Sequence, residues 1–267
     1  VDRKMVEGPE DIRLVGSRRG VESDLVSATE FDLTLLTGRG FRRGFTPTNL
    51  LSIVGLGAAF VRAVFLLIRD MPSVVVATGG YACLPCAVAA VVLRVPLLIA
   101  EQNAVPGAAS RLIGRFARAA AVSFDGTALP RAVMTGNPVR QEIVDMASPA
   151  ARVAARERMS VGSRDLVVVF GGSLGSRRLN QAVEQVVANW RGRNIVVHHV
   201  IGRREWGENR SAVDGLPMSV DYRRVAYETE MPSVLVAADL VVCRAGATSV
   251  AELAVLGVPA VLVPLPG

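Results

Sequence analysis

Lysine is almost missing from this 267-residue chain: Lys4 is the only one, and arginine supplies the rest of its 30 basic residues. Against 24 acidic residues they leave a formal net charge of +6 and a pI near 10. That balance suits an anionic partner, whether nucleic acid, a phosphorylated substrate or an anionic membrane. The arginines are scattered and no basic run is interleaved with aromatics, so nucleic acid is the weakest of the three. Cysteine is scarce as well. Three in an otherwise ordinary globular composition argue against a disulfide scaffold and fit a reducing cytoplasm. Cys83-Leu84-Pro85-Cys86 resembles a redox dithiol at a helix start, but the chain around it is not laid out as a thioredoxin fold. A zinc site lacks a second ligand pair. His198 and His199 are adjacent on a predicted strand, so they point to opposite faces and read as structural. There is no H-E-x-x-H, no G-x-S-x-G and no triad, which disfavours hydrolases by those routes. No signal peptide is visible at the start. The longest nearly uncharged stretch, 50–68, has 19 residues, enough to raise the transmembrane question. Arg62, two glycines and the neighbouring pattern make it a buried or interfacial helix.

Apolar residues make up 51% of the chain, enough to bury the core of one large or two medium domains. Continuous apolar runs at 73–78 (SVVVAT), 96–100 and 165–170 (DLVVVF) read as buried parallel strands. Others are expected at 11–16, 31–36, 119–123, 132–135, 194–201, 240–243 and 259–263. Helices are expected at 21–26, 49–69, 84–93, up to 116, and at 149–163, 176–190, 231–237 and 248–256. Alternating strands and helices mean α/β architecture: two doubly wound, Rossmann-like domains, 1–138 and 139–267, with a cleft between them.

The most informative stretch is 238–264 (ADLVVCRAGATSVAELAVLGVPAVLVP), read as strand, turn, helix and second strand, with Gly257 and Pro259 ending the helix. Ligands of open α/β sheets bind at such turns, where free helix N–H groups and the helix dipole favour an anion. Gly246 permits close backbone approach, Thr248 and Ser249 supply hydroxyls, Arg244 adds a cation, and Glu252 can accept from a ligand diol. Gly79-Gly80-Tyr81 and Gly171-Gly172-Ser173-Leu174-Gly175 sit on similar turns. Neither has the G-x-G-x-x-G spacing and neither is a P-loop, since no G-K-[ST] follows. Tight strand–helix packing explains any one of them; several together favour a diphosphate-bearing ligand.

The motifs GGYACLP (79–85), EQNAVPG (101–107), TGNPVR (135–140), FGGSLGSRRLN (170–180) and the 238–266 stretch, with GSRRGVES at 16–23, resemble one family in order along nearly the whole chain. It is the bacterial peptidoglycan N-acetylglucosaminyltransferase (MurG) family, which converts lipid I to lipid II. The resemblance implies a GT-B glycosyltransferase fold and an inverting hexosyltransferase with UDP-N-acetylglucosamine as donor. It also implies an undecaprenyl-diphosphate muramyl-pentapeptide acceptor, peripheral attachment at the cytoplasmic face of the plasma membrane, and cell-wall synthesis and division proteins as partners.

By motif, Asn103 is expected on the donor sugar, Arg140 near the donor, and Ser173 on its phosphates. Ala247, Thr248, Ser249, Val250, Ala251 and Glu252 match the nucleotide-holding segment, with Glu252 on the ribose. Gly79, Gly80 and Tyr81 match a loop for the acceptor diphosphate. Leu50, Val54 and Phe60, ringed by Arg39, Arg42, Arg43 and Arg62, are expected to form a membrane-facing patch; a core-facing stripe is the competing reading. Glu101 is the only carboxylate in a loop suited to a general base. No metal motif is present, no cofactor is evident, and a divalent-metal requirement is left open.

Departures from the family pattern are plain. Nothing like its opening G-G-T-G-G-H loop precedes Asp11, and its glutamine segment has no counterpart before Gly267, so truncation at both ends and a first sheet short of one strand are expected. Ala100 stands for a usual histidine, and Glu228 for an apolar residue against the uracil. Two alternatives share these residues: a UDP-N-acetylglucosamine 2-epimerase, against which EQNAVPG and TGNPVR speak, and an inactive UDP-sugar-binding remnant.

Overall fold

A computed structural model describes residues 6–17, 29–36, 47–80, 82–172, 175–190, 194–206 and 220–264, with side chains from residue 55 onward in the helix that starts at Pro47. The helix expected at 21–26 lies outside the described residues. The chain divides into two compact units, Val1–Gly136 and Asn137–Gly267.

In the first unit the strands are β1 (Arg13–Ser17), β2 (Asp32–Leu36), β3 (Val75–Ala77), β4 (Leu97–Glu101), β5 (Ala119–Val122) and β6 (Ala132–Met134). The helices are α1 (Pro47–Asp70), α2 (Cys83–Val92) and α3 (Ala108–Ile113). All pairings are parallel, but they form two pieces, β1-β2 and β3-β4-β5-β6. Shared helices hold the pieces together. Ala59, Ala63 and Leu67 of α1 and Cys86, Ala89 and Ala90 of α2 make one cluster with Leu36 of β2, against which Val15 of β1 and Val75 of β3 pack. Small residues on the facing sides of α1 and α2 let the helices approach closely. A second cluster joins Leu97 and Ile99 of β4, Ala120 and Val122 of β5, and Ile113 of α3.

The second unit contains α4 (Gln141–Asp145), α5 (Pro149–Arg158), β7 (Asp165–Phe170), α6 (Arg177–Asn189), β8 (Ile195–Val200), α7 (Arg203–Trp206), β9 (Asp221–Val225), α8 (Met231–Ala237), β10 (Leu240–Arg244), α9 (Ala247–Leu256) and β11 (Ala260–Val263). Its five strands run parallel in the order β11-β10-β7-β8-β9. Both faces are covered. One core holds Leu166, Val168, Val196 and Val200 with Leu235 of α8 and Leu253 of α9; the other holds Val169, Val197, Leu179 and Val187. Burial on both sides explains why DLVVVF shows no polar alternation. Among the described residues no helix is long and apolar enough to cross a membrane.

Expected and observed elements agree closely except at four places. Strand β9 and the short helices α4 and α7 escape the sequence pattern, and α5 stops at Arg158 rather than 163. Helix α5 opens as its sequence dictates: Pro149 stands in the first turn and the Ser148 hydroxyl accepts from Ala151 N at 3.2 Å.

The amino edge of the second sheet is tied by Asp239. Its carboxylate accepts from Arg152, Arg156 and the Leu166 N–H, while Arg152 and Arg156 also donate to the carbonyls of Val236, Ala237 and Ala238. Burial works to raise the Asp239 carboxyl, and the Leu166 N–H with the two guanidinium groups outweighs it, leaving the pKa below its ordinary value. A depressed folded-state pKa means stability that is full above the ordinary carboxylate range and lost as pH falls through the lowered value. Asp239→Ala is therefore expected to lose about 2 kcal/mol at neutral pH in urea titrations, with a smaller loss near pH 3. Equal loss at both pH values would contradict this account.

Candidate functional site

In the second unit the chain runs outward from β7 to β8 and β9, then returns to the other side of β7 as β10 and β11. The reversal leaves a switch point between the carboxyl ends of β7 and β10, where open α/β sheets take ligands. Two helices start there, α6 after β7 and α9 after β10.

The β7 turn is built for close approach. A Cβ on Gly171 would lie 2.5 Å from Ser176 Cβ, and one on Gly175 would lie 2.3 Å from the Ile201 carbonyl oxygen. Gly172 and Gly175 take φ of 96° and 86°, the left-handed side where glycine alone is unstrained. Gly175 N donates to Gly172 O at 2.9 Å, closing the turn ahead of α6. Ser176 is buried, and among the described residues its hydroxyl has no hydrogen-bond partner. Buried polar atoms are normally bonded, so an open one beside a helix start marks a place for a ligand atom. Ser173, expected on the phosphates, lies outside the described residues.

The β10 turn brings Arg244, Ala247, Thr248, Ser249, Val250 and Ala251 together at the first turn of α9, whose N-cap Gly246 offers no side chain to its N–H groups. Thr248 is exposed and Ser249 half-buried. Arg244 donates to Pro264 O at 2.9 Å, fixing the end of β11. Gly257, at φ 66°, ends the helix as its sequence position indicates. Glu252 is only 6% exposed, and its Oε1 accepts from Arg140 Nε at 3.0 Å. The structure thus brings Arg140 and Glu252 together across 112 residues of sequence. Among the described residues the other Glu252 oxygen has no hydrogen-bond partner. Both side-chain polar atoms of Asn137, three residues before Arg140, are buried and unpaired as well.

In the first unit, Gly79 and Gly80 follow β3 with φ of 96° and 79°, and a Cβ on either would meet no atom within 4 Å. Their surroundings are open, so backbone conformation rather than packing requires glycine there. Tyr81 lies outside the described residues. Glu101 ends β4 almost fully buried. Its Oε1 accepts from Asn103 N at 3.1 Å and Asn103 Nδ2 at 3.0 Å, and its Oε2 from Gly107 N at 3.1 Å. Burial works to raise this carboxyl; the Ser110 hydrogen bond and those from Asn103 and Gly107 together hold it below its ordinary value. Asn103 is exposed, with its amide nitrogen held on Glu101.

The side chains of Cys83 and Cys86 are pushed the other way. Desolvation raises both thiols, Cys86 to about 11, so neither is a reactive thiolate. His198 and His199 have separate partners, Glu228 for the first and Asn180 with Tyr222 for the second. Among the described residues no group of three His, Cys, Asp or Glu could hold a metal ion.

On α1, Val61, Phe65 and Ile68 are each more than half exposed. Leu50 and Val54 precede them on the same helical register, though the side chains of both lie outside the described set, as do Arg39, Arg42 and Arg43. Phe60 corrects the expectation. It sits about 100° round the helix from Val61 and packs, half-buried, against the cluster of Ala59 and Ala63.

A cavity of about 540 Å³ lies instead at the amino ends of β10 and β11, lined by Ser148, Arg152, Asp239, Leu256 and Pro259 among others. Its charged groups are bonded to each other and to nearby carbonyls. The carboxyl-end turns carry the open Ser176 hydroxyl and the half-free Glu252 carboxylate, which makes them the candidate site.

Comparisons with known proteins identify the family. Residues 5–122 match the glycosyltransferase family 28 N-terminal domain and residues 166–267 its C-terminal domain. The chain is similar to the UDP-N-acetylglucosamine–N-acetylmuramyl-(pentapeptide) pyrophosphoryl-undecaprenol N-acetylglucosamine transferases of Desulforudis audaxviator and Ruminiclostridium cellulolyticum. Identity is 36% over 96% of this chain and 70% of the first, and 35% over 98% and 73% of the second. Among solved structures, Acinetobacter baumannii MurG superposes with a TM-score of 0.69 at 26% identity, covering 94% of this chain and 70% of that one. A UDP-GlcNAc 2-epimerase from Neisseria meningitidis, at 10% identity and a TM-score of 0.56, shares the fold alone over 94% and 81%. With over a third of its residues identical to one such enzyme along nearly its whole length, this chain belongs to the family of pyrophosphoryl-undecaprenol N-acetylglucosamine transferases, the MurG family.

Proposed function

We propose that this protein transfers N-acetylglucosamine from UDP-N-acetylglucosamine to the lipid-linked muramyl-pentapeptide, converting lipid I to lipid II. The observation that carries the reading is Glu252: a buried carboxylate at the start of α9 with one oxygen on Arg140 and the other open to a ribose diol. The second unit takes the nucleotide. Its diphosphate lies between the starts of α6 and α9, where unpaired N–H groups, the Ser176 hydroxyl, Arg244 and Arg140 balance the negative charge that grows as UDP departs. The acceptor hydroxyl attacks the anomeric carbon from the face opposite UDP, which inverts the sugar. Asn103 orients that sugar through its free carbonyl, and Gly79, Gly80 and Tyr81 receive the acceptor diphosphate.

Glu101 serves this reading as the anchor that presents Asn103. Its three N–H donors occupy the carboxylate, and its lowered pKa makes it a weaker proton acceptor than an ordinary glutamate. The membrane-facing surface is the Val61, Phe65 and Ile68 stripe continuing the line of Leu50 and Val54, with Arg62 beside it for anionic headgroups at the cytoplasmic face.

Labelled UDP-N-acetylglucosamine and a short-chain lipid I analogue test the reaction directly. Labelled disaccharide-lipid formed only with both substrates is the expected result; release of UDP and sugar without acceptor would sink it. Glu252→Gln is expected to raise the donor KM about tenfold while leaving the acceptor KM unchanged. Glu101→Gln should lower kcat by a similar factor across the pH profile, because Asn103 loses its support. If instead the variant removes the acid limb of the profile, Glu101 is the base. The double substitution Val61→Ser with Phe65→Ser is expected to abolish flotation with phosphatidylglycerol vesicles without changing donor KM; undiminished flotation would discard the stripe.

A further inference from the structure

The second unit buries a hydrogen-bonded chain that the transfer reaction does not use. His199 and Asn180 are completely buried. Asn180 Nδ2 donates to the Ile201 carbonyl at 3.0 Å, so its Oδ1 faces His199 Nε2, 3.1 Å away. An amide oxygen only accepts, and Nε2 must therefore carry the ring proton. Nδ1 is then an acceptor, and the Tyr222 hydroxyl, 2.8 Å away, donates to it. The direction is fixed from end to end: Tyr222 to His199, His199 to Asn180, Asn180 to Ile201 O. Burial, aided by Arg224 and His198, pushes the His199 pKa down to about 4, so the ring stays neutral and the order persists at working pH.

The chain ends on a particular atom. The Ile201 carbonyl oxygen is the surface on which Gly175 rests, so close that a Cβ there would come within 2.3 Å. Gly175 in turn closes the turn with Gly172 and leads into Ser176 and α6. Asn180 itself stands in the first turns of α6, one helical turn after Ser176, whose carbonyl accepts from its N–H at 2.9 Å. Asn180 thus belongs to the helix through its backbone and holds, through its side chain, the oxygen against which Gly175 lies.

We propose that Asn180, His199 and Tyr222 are positioning residues for the donor diphosphate: they set the Ile201 carbonyl, and through it the phosphate-facing turn at Gly172, Gly175 and Ser176. The proposal rests on the reading of that turn as the diphosphate site. It assigns the chain to the phosphates and not to the base or ribose, which separates it from a general contribution to stability. A misplaced turn costs affinity in proportion to the phosphates a ligand carries.

Titration calorimetry with UDP and with uridine, on the whole chain and on variants, makes the distinction. Asn180→Asp keeps an acceptor for His199 and removes the donor to Ile201 O. It is expected to weaken UDP about tenfold and leave uridine unchanged. Gly175→Ala, which drives a methyl group into the same carbonyl, and Tyr222→Phe, which removes only the far end, should lose UDP selectively as well, the second to a smaller degree. Thermal melting identifies any variant that fails to fold, and Tyr222→Phe then carries the test alone. Parallel losses of UDP and uridine, or unchanged UDP binding by a folded variant, overturn the proposal. Equal affinity of the unaltered chain for UDP and uridine overturns the diphosphate site itself.

Discussion

Parallel pairing is the constraint from which the rest of the molecule follows. A parallel strand cannot return to its neighbour by a tight hairpin; it needs a long crossover, which here is most often a helix. Every strand of the second sheet therefore ends on one edge, and the helices that follow begin there. Where the strand order reverses, between β7 and β10, two such helix starts flank a gap in the layer. Anion-favouring backbone accumulates at that place without any charged residue being required. Arginines then add to a preference the topology has already created.

The opposite edge shows what the same sheet does where no ligand is needed. Asp239 draws Arg152, Arg156 and the Leu166 N–H into one closed set, and the guanidinium groups also satisfy the carbonyls of Val236, Ala237 and Ala238. Side-chain charge at that edge is spent within the protein. The contrast locates the site more firmly than concavity does, since a cavity of about 540 Å³ lies at the closed edge.

Strands buried on both faces were legible because burial leaves an unbroken apolar run, as in DLVVVF, and α9 was legible because Gly257 and Pro259 stop it. Strand β9 (DYRRV) was not, since every residue in it is half-buried. Arg223 donates to Asp221 within the strand and to the distant Met159 carbonyl, and Asp221 in turn accepts from Arg164, 57 residues earlier. No local pattern encodes such contacts. Helix α1 was read correctly as a helix, but its outward face was off by one residue. Phe60 is the larger side chain, yet Val61 faces out, because the small residues Ala59 and Ala63 decide which side meets α2. The motif glycines were legible as turns; that Gly175 rests on the Ile201 oxygen was not, for the two meet only after β8 has been laid beside β7.

Buried polar groups in this protein fall into two kinds, and the division explains how site and scaffold differ. Glu101, His199 and Asn180 are closed, with hydrogen bonds supplied inside the fold. Each costs desolvation and returns a fixed geometry to a neighbouring loop. Ser176 and Asn137 are open, as is one oxygen of Glu252. An open buried group is a standing penalty for the free protein, which a bound partner would remove. Supporting groups stand next to the candidate ligand groups: Glu101 holds Asn103, Asn180 stands one helical turn after Ser176, and Arg140 donates to Glu252. Substituting a closed group should therefore disturb ligand binding through geometry, whereas substituting an open group removes the contact itself. That difference is the physical meaning of a supporting residue in this fold.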